Sequence, residues 1–285
     1  MLASAIGFTL MTTLVKFLGG EYSAALQSFY RQAAGVILVL PLVARDPIGV
    51  FRTNRLGILL FRSAAGTAAS ILAFYSYSEM PLADANALSF TRTLWLAPLA
   101  AFVLHEKVGP ARIGATLVGF AGVLFMLQPA QMAAFGWGAA AALASAFLFA
   151  LTITGMKIMT RDHSTTTLIA YAAILGLVFS TPPALASWKW PGLVDLSLLA
   201  AMGILGLLAQ TCYIKGMAIG DAGAMTPIDY TRLIFAVIAG FFLFDELPNA
   251  MTLIGAGIVI AATLYITLRE ARMRKGLTPP PAQPE

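Results

Sequence analysis

Two arginines in this chain sit inside apolar runs, where a charge is costly, and each arrives with the same neighbours. Thr91-Arg92 is followed by an apolar run to His105-Glu106, and Thr231-Arg232 by one to Asp245-Glu246, with identical spacing from arginine to glutamate. The match extends outward: Asp84-Ala-Asn-Ala-Leu88 pairs with Asp221-Ala-Gly-Ala-Met225, and Ile113-Gly-Ala115 with Ile254-Gly-Ala256. A guanidinium in an apolar helix can grip a carboxylate through its planar fork of donors, or it can tie helices together by bonding backbone carbonyls, including those freed near Pro98 and Pro227. At helical spacing Ser89, Arg92 and Trp95 share one face, and Asp229, Arg232 and Phe235 share the equivalent face of the second copy. If these faces line a pathway, Arg92 meets a substrate carboxylate and Trp95 supplies an apolar wall. Asp229 lies one turn from Arg232 and would neutralise it locally, which favours a structural role there. Arg92 has no acid within a turn and is left free to bind. Asp229 stands where the first copy has Ser89, which makes it a candidate for proton coupling, although an ion pair with Arg232 is the favoured role.

Other polar and aromatic groups fall at similar depth. Tyr75 and Tyr77, beside Phe74, and Tyr30, beside Phe29, Gln27, Arg31 and Gln32, can stack on an apolar cargo while their hydroxyls bond its polar end. Core packing or interfacial belting competes with that role and is favoured. Arg31, about 10 Å from the nearer end of its span, can snorkel or meet Glu79. Glu106 and Glu246 fall at helix ends and read as groups that fix loops.

The elements that must hold these residues are membrane spans. Hydrophobic residues make up 59% of the 285 and charged ones only 11%, far below the roughly 25% charged of soluble domains. The chain reads as an all-α integral membrane protein with apolar spans near 2–18, 24–44, 56–78, 82–104, 110–127, 134–158, 164–186, 194–218, 222–244 and 249–268. The first run lacks the basic start and cleavage site of a secretory signal, and its Met11 to Lys16 stretch matches Thr152 to Lys157 of the second half, so it reads as a true span. Five spans per half is an odd number, so the second half must enter the membrane upside down. The architecture expected is ten transmembrane helices as two inverted five-helix repeats, residues 1–129 and 130–268, followed by a disordered cytoplasmic tail over 269–285. Arg92 then lies about 12 Å, and Arg232 about 16 Å, from the polar end of its span, near the middle of a roughly 30 Å core.

Basic residues collect on one side: Arg45, Arg52, Arg55, Lys107, Arg112, Lys157, Arg161, Lys215 and the C-terminal cluster, against Lys16 and Lys189 on the other. This asymmetry puts both termini in the cytoplasm. The net charge of +5 is therefore topological and no nucleic-acid partner is expected. Cys212 has no second cysteine to pair with, and neither His105 nor His163 has a nearby ligand partner, so no disulfide, metal or cofactor is expected. No nucleophile elbow, zinc-protease motif or nucleotide-binding loop is present, which argues against an enzyme.

Phe29-Tyr-Arg31, Pro81-Leu-Ala-Asp-Ala-Asn-Ala87, His105-Glu-Lys107, the glycine-spaced 113–122 segment, Gly220-Asp-Ala-Gly-Ala224 and Asp245-Glu246 together resemble the EamA-type transporters of the drug/metabolite transporter superfamily. The resemblance spans residues 1–268. It implies secondary transport of a small metabolite by alternating access across a bacterial inner membrane, with lipid, cargo and protons as partners and one chain sufficient for a pathway. The YddG-type exporters of aromatic and other neutral amino acids are the most similar branch. The Arg62-Ser-Ala-Ala-Gly66 and Pro81-Leu-Ala-Asp84 stretches are also similar to uptake carriers for riboflavin or S-adenosylmethionine, which is the alternative.

Overall fold

Long apolar runs without water can satisfy their backbone only internally, so the chain folds as helices. The computed structural model describes residues 1–44, 46, 49–103, 109–127, 132–159, 163, 165–219 and 228–275. His105, Glu106, the 221–225 segment, Pro227 and the residues beyond 275 lie outside these. Eleven helices are described: α1 Leu2–Gly19, α2 Ala24–Val43, α3 Leu56–Glu79, α4 Leu82–Ser89, α5 Arg92–Phe102, α6 Pro110–Leu127, α7 Met132–Met159, α8 Thr165–Ala186, α9 Leu193–Ile219, α10 Thr231–Phe244 and α11 Ala250–Lys275. Because α4 and α5 share one crossing, the eleven helices make ten. Seven of them are individually long and apolar enough to cross a membrane.

Local sequence sets the helix ends. Ser23 caps α2 by accepting the Leu26 amide at 3.2 Å, and Pro110 opens α6 where its missing N–H costs nothing. Asp245 ends α10 in the left-handed conformation, its amide donating to the Gly240 carbonyl. Gly136, also at positive φ, kinks the start of α7. One expectation fails at the C-terminal end. Residues 269–275, expected to begin a disordered tail, continue α11, because their Arg, Glu, Ala, Met and Lys side chains are good helix formers even where apolar character has ended.

The span expected over 82–104 is not continuous. It breaks at Phe90-Thr91, where the Thr91 hydroxyl donates to the Leu88 carbonyl and the Ser89 hydroxyl to that of Asn86. The second copy repeats the device: Ile228 and Asp229 are helical, Tyr230 is a turn, and the Thr231 hydroxyl donates to the Ile228 carbonyl before α10 proceeds. Each duplicated arginine therefore sits in the first turn after a break.

The principal packing pairs are α1 with α9, α2 with α8, α3 with α7 and α6 with α11. Further contacts join α3 to α8, α2 to α9, α5 to α7 and α4 to α10. The tightest approach is α6 on α11, where a Cβ on Gly122 would lie 2.9 Å from the Gly255 carbonyl oxygen. Many bulky apolar side chains point outward, with Phe102 81% and Phe242 76% exposed, while buried Ser, Thr and Ala pack among Leu, Met and Phe90 in the interior. That arrangement suits a surface solvated by hydrocarbon.

Below, the end at which α1 begins is called proximal and the end at which it finishes distal.

Candidate functional site

A cavity of about 310 Å³ lies among α2, α3, α7, α8 and α9, at the small end of the ~300–1,000 Å³ usual for metabolite sites. It runs from Arg31, Ser70 and Gly203 in mid-bundle to Val39, Arg62, Met156 and Leu168 nearer the proximal end. Gln32, Thr67, Thr152, Gln210 and Thr211 contribute further polar groups, Phe149 and Leu207 apolar ones, and no described lining residue is an acid. Glycines in α9 make room: a Cβ on Gly203 would lie 2.7 Å from that of Ala34, so a residue without a Cβ is needed at that contact with α2.

The two cavity arginines have few partners. Arg31 Nη2 donates to Ser70 Oγ at 2.9 Å, and its guanidinium lies 5.7 Å from the Phe74 ring centroid. Arg62 Nη2 points at the sulfur of Met156, a weak acceptor, at 2.9 Å. The Nε of each is buried without a partner, and neither arginine makes an ion pair among the described residues. The expected meeting of Arg31 with Glu79 does not occur, since α2 turns the guanidinium inward to α3. Glu79 itself is exposed at the distal end of that helix.

A second polar centre forms where the two broken spans meet. Arg92 Nη2 lies 3.6 Å from Asp229 Oδ2, and Arg232 Nη2 donates to Ser89 Oγ at 2.9 Å. Phe90 and Tyr230, equivalent in the two copies, pack edge to face at 4.8 Å, and Arg232 stacks over Phe90 at 4.8 Å and Phe8 at 5.6 Å. The pairing expected within one turn is therefore corrected: Asp229 reaches across to Arg92, and Arg232 is left to Ser89. A turn at Tyr230 separates Asp229 from Arg232, and Asp229 finds Arg92 on α5 instead.

None of the residues expected to contact cargo lines the described cavity. Trp95 packs edge to face on Phe120 and Phe147, at 4.8 and 5.1 Å. Tyr77 is buried in the main core, Tyr75 and Phe235 are half-buried, and Ser89 is engaged by Arg232. Tyr30 joins an aromatic cluster with Phe29 and Trp188 at the distal end.

That end is closed by contacts of the α1–α2 connection with the α8–α9 connection and the first turn of α9. Tyr22 donates to Asp195 at 2.6 Å, Ser23 and Ser187 share a hydrogen bond at 2.6 Å, and Glu21 pairs with Lys189. The hydrogen bond to the Asp195 carboxylate, with desolvation beside it, pushes the Tyr22 phenol up to about 12. Nearby, Lys16 and Glu246 form an ion pair at 2.5 Å, and Glu246 accepts the Leu82 amide at 2.9 Å, pinning α10–α11 onto the start of α4.

Sequence reasoning passed over Arg62 as a site residue, although the signal was present. It lies six residues into α3 with no acid within a turn, the same criterion that singled out Arg92.

A model of the EamA-like transporter family matches residues 1–128 and 136–268. The chain is 30% identical to a Rickettsia bellii S-adenosylmethionine uptake transporter, over 95% of this chain and 93% of that protein. It is 29% identical to a Brucella anthropi riboflavin transporter, over 86% and 88%, and 24% identical to a Pseudomonas aeruginosa pseudopaline exporter, over 94% and 93%. A solved crystal structure aligns at TM-score 0.61 over 95% of this chain and 98% of that one, at 18% identity, and so shares the fold.

Proposed function

This chain belongs to the EamA-like transporter family, and we propose that it is a secondary transporter carrying a small metabolite through the cavity between its halves by alternating access. The observation that carries the reading is the cavity itself, which draws α2 and α3 from the first family match and α7, α8 and α9 from the second. Exchange of spans one to five with six to ten turns the contact of α1 with α9 into that of α7 with α3, and the contact of α2 with α9 into that of α8 with α3. That equivalence supports an inverted repeat of the two segments. The positive-inside bias supports cytoplasmic termini and an inner-membrane location. The cavity then occupies the cytoplasmic half, and the Tyr22–Asp195 contacts close the outer end.

The first reading of the cargo is an aromatic or other neutral amino acid, moved outward. The second is S-adenosylmethionine, moved inward, and it is favoured by the rickettsial relatives. Ser89, Arg92, Asp229, Arg232 and Phe235 act in this account as the joint between the broken spans; Tyr75, Tyr77 and Trp95 shape its surroundings, and Tyr30 belongs to the distal aromatic cluster. Asp229 serves as a structural partner of Arg92, and a proton-coupled flux that D229N uncouples would overturn that role. Vesicles reconstituted with the chain and loaded in turn with labelled aromatic amino acids, S-adenosylmethionine, riboflavin and purines decide the cargo. Flux of an amino acid or S-adenosylmethionine, absent from empty vesicles, is the expected result. No flux of any compound in either direction would contradict the transport reading.

A further inference from the structure

A charge inside the hydrocarbon core of a membrane is costly, up to about 2.5–3.5 kcal/mol at its centre on insertion scales. A chain that keeps two such charges without acids beside them has a use for them. Arg31 and Arg62 meet that description: each faces the same cavity, holds a buried Nε without a partner, and spends one described hydrogen bond, on a hydroxyl and on a thioether. Each therefore retains donors in the planar arrangement that fits a carboxylate. The two lie at different depths. Ser70, which Arg31 contacts, stands eight residues along α3 from Arg62 (70 − 62), about 12 Å at the helical rise. Met156 and Leu168 beside Arg62 belong to the proximal part, Gly203 and Ser70 beside Arg31 to mid-bundle.

We propose that Arg31 and Arg62 are two successive receptors for the carboxylate of the cargo, so that the substrate class is a carboxylate-bearing metabolite. The inference rests on the transport reading above and narrows it. A carboxylate entering from the proximal side meets Arg62 first and exchanges to Arg31, deeper in the bundle, while Gln32, Gln210 and the threonines bond the remaining polar groups. Cargo whose positive charges have no carboxylate beside them is excluded by two uncompensated cations. S-adenosylmethionine, with one carboxylate, remains admissible through that group; riboflavin, which has none, does not.

The test is ligand-dependent thermal stabilisation of the purified full chain in detergent. The probes are L-phenylalanine, L-phenylalaninamide, S-adenosylmethionine, riboflavin and phenyl phosphate. Saturable stabilisation by L-phenylalanine or S-adenosylmethionine is expected, with the amide weaker by tenfold or more than the acid. R31Q and R62Q should each weaken the carboxylate probe roughly ten- to a hundredfold. R31K and R62K keep the charge, and so the fold, but lose the fork; they should bind several-fold more weakly than the native chain, which keeps the test usable if a glutamine variant fails to fold. Equal response to acid and amide, or native affinity in both glutamine variants, would overturn the proposal. A response to riboflavin or phenyl phosphate alone would also overturn it, while flux of that compound in vesicles would leave the transport reading standing.

Discussion

The two pairs of arginines differ in what surrounds them. Arg92 and Arg232 are duplicated, sit at equivalent breaks in spans four and nine, and each finds a group from the opposite half: Asp229 for one, Ser89 for the other. Arg31 and Arg62 belong to α2 and α3; α8 and α9, which hold the same places in the second family match, carry no arginine, and no described residue lining the cavity is an acid. We infer that the duplicated residues hold the halves against each other. The unduplicated ones are left with donors to spare. A repeat keeps in both copies what the architecture needs twice, whereas a single cargo needs its receptors once, so departure from symmetry is the better guide to the site.

The comparison breaks first at the paired centre. D229N leaves Arg92 facing a neutral group, and loss of one member of such a buried pair should cost about 3 kcal/mol. R92Q/D229N should recover part of that loss, because no charge is then left without its partner. Thermal unfolding of the three proteins in one detergent measures the difference. An unchanged midpoint in D229N would mean that the crossed pair holds nothing together.

A smaller effect is expected at the α6–α11 contact. A Cβ on Gly255 would stand 2.5 Å from the Gly122 carbonyl oxygen, a backbone atom that cannot rotate away. Gly255→Ala should cost about 1–3 kcal/mol. Gly257→Ala, where a Cβ would meet nothing within 4 Å, is the control. Equal midpoints for the two variants would show that this seam is looser than described.

The smallest effect concerns the closed distal end. The Tyr22 phenol is raised from its ordinary value near 10 to about 12, so the neutral form is favoured in the folded state. Its contribution is fully present below pH 10 and fades as pH rises through 12. Quenching of Trp188 and Trp190 fluorescence by a water-soluble quencher should increase across that window. In Tyr22→Phe the increase should already be present at neutral pH. A native chain whose quenching is flat from pH 9 to 12 would remove Tyr22 as a closing group.

Much of the fold was legible because lipid leaves few options. Apolar runs bounded by polar or proline residues became helices with nearly the expected ends, as at Leu56–Glu79 against 56–78 and Thr165–Ala186 against 164–186. The break at Phe90-Thr91 was not legible, because no Gly or Pro marks it. Pro98, the residue that usually interrupts a helix, lies inside α5 instead. Partners were the other failure. Spacing reveals neighbours three or four residues apart, and Ser89 meets Arg232 across 143 residues. Arg92 was singled out because it was repeated and had no acid nearby. Arg31 and Arg62 pass the second criterion too, and lacked only the repetition that drew attention elsewhere.

The most direct measurement is flux per folded molecule in vesicles for R62Q beside R92Q/D229N, with folded protein quantified by monodisperse recovery. The account predicts that R62Q retains native recovery and loses tenfold or more in flux, in proportion to the carboxylate bonds removed. R92Q/D229N should recover in lower yield while each folded molecule stays within about threefold of native flux. Native flux in R62Q together with a well-folded but inactive R92Q/D229N would contradict it, and would return the cargo to the duplicated arginines.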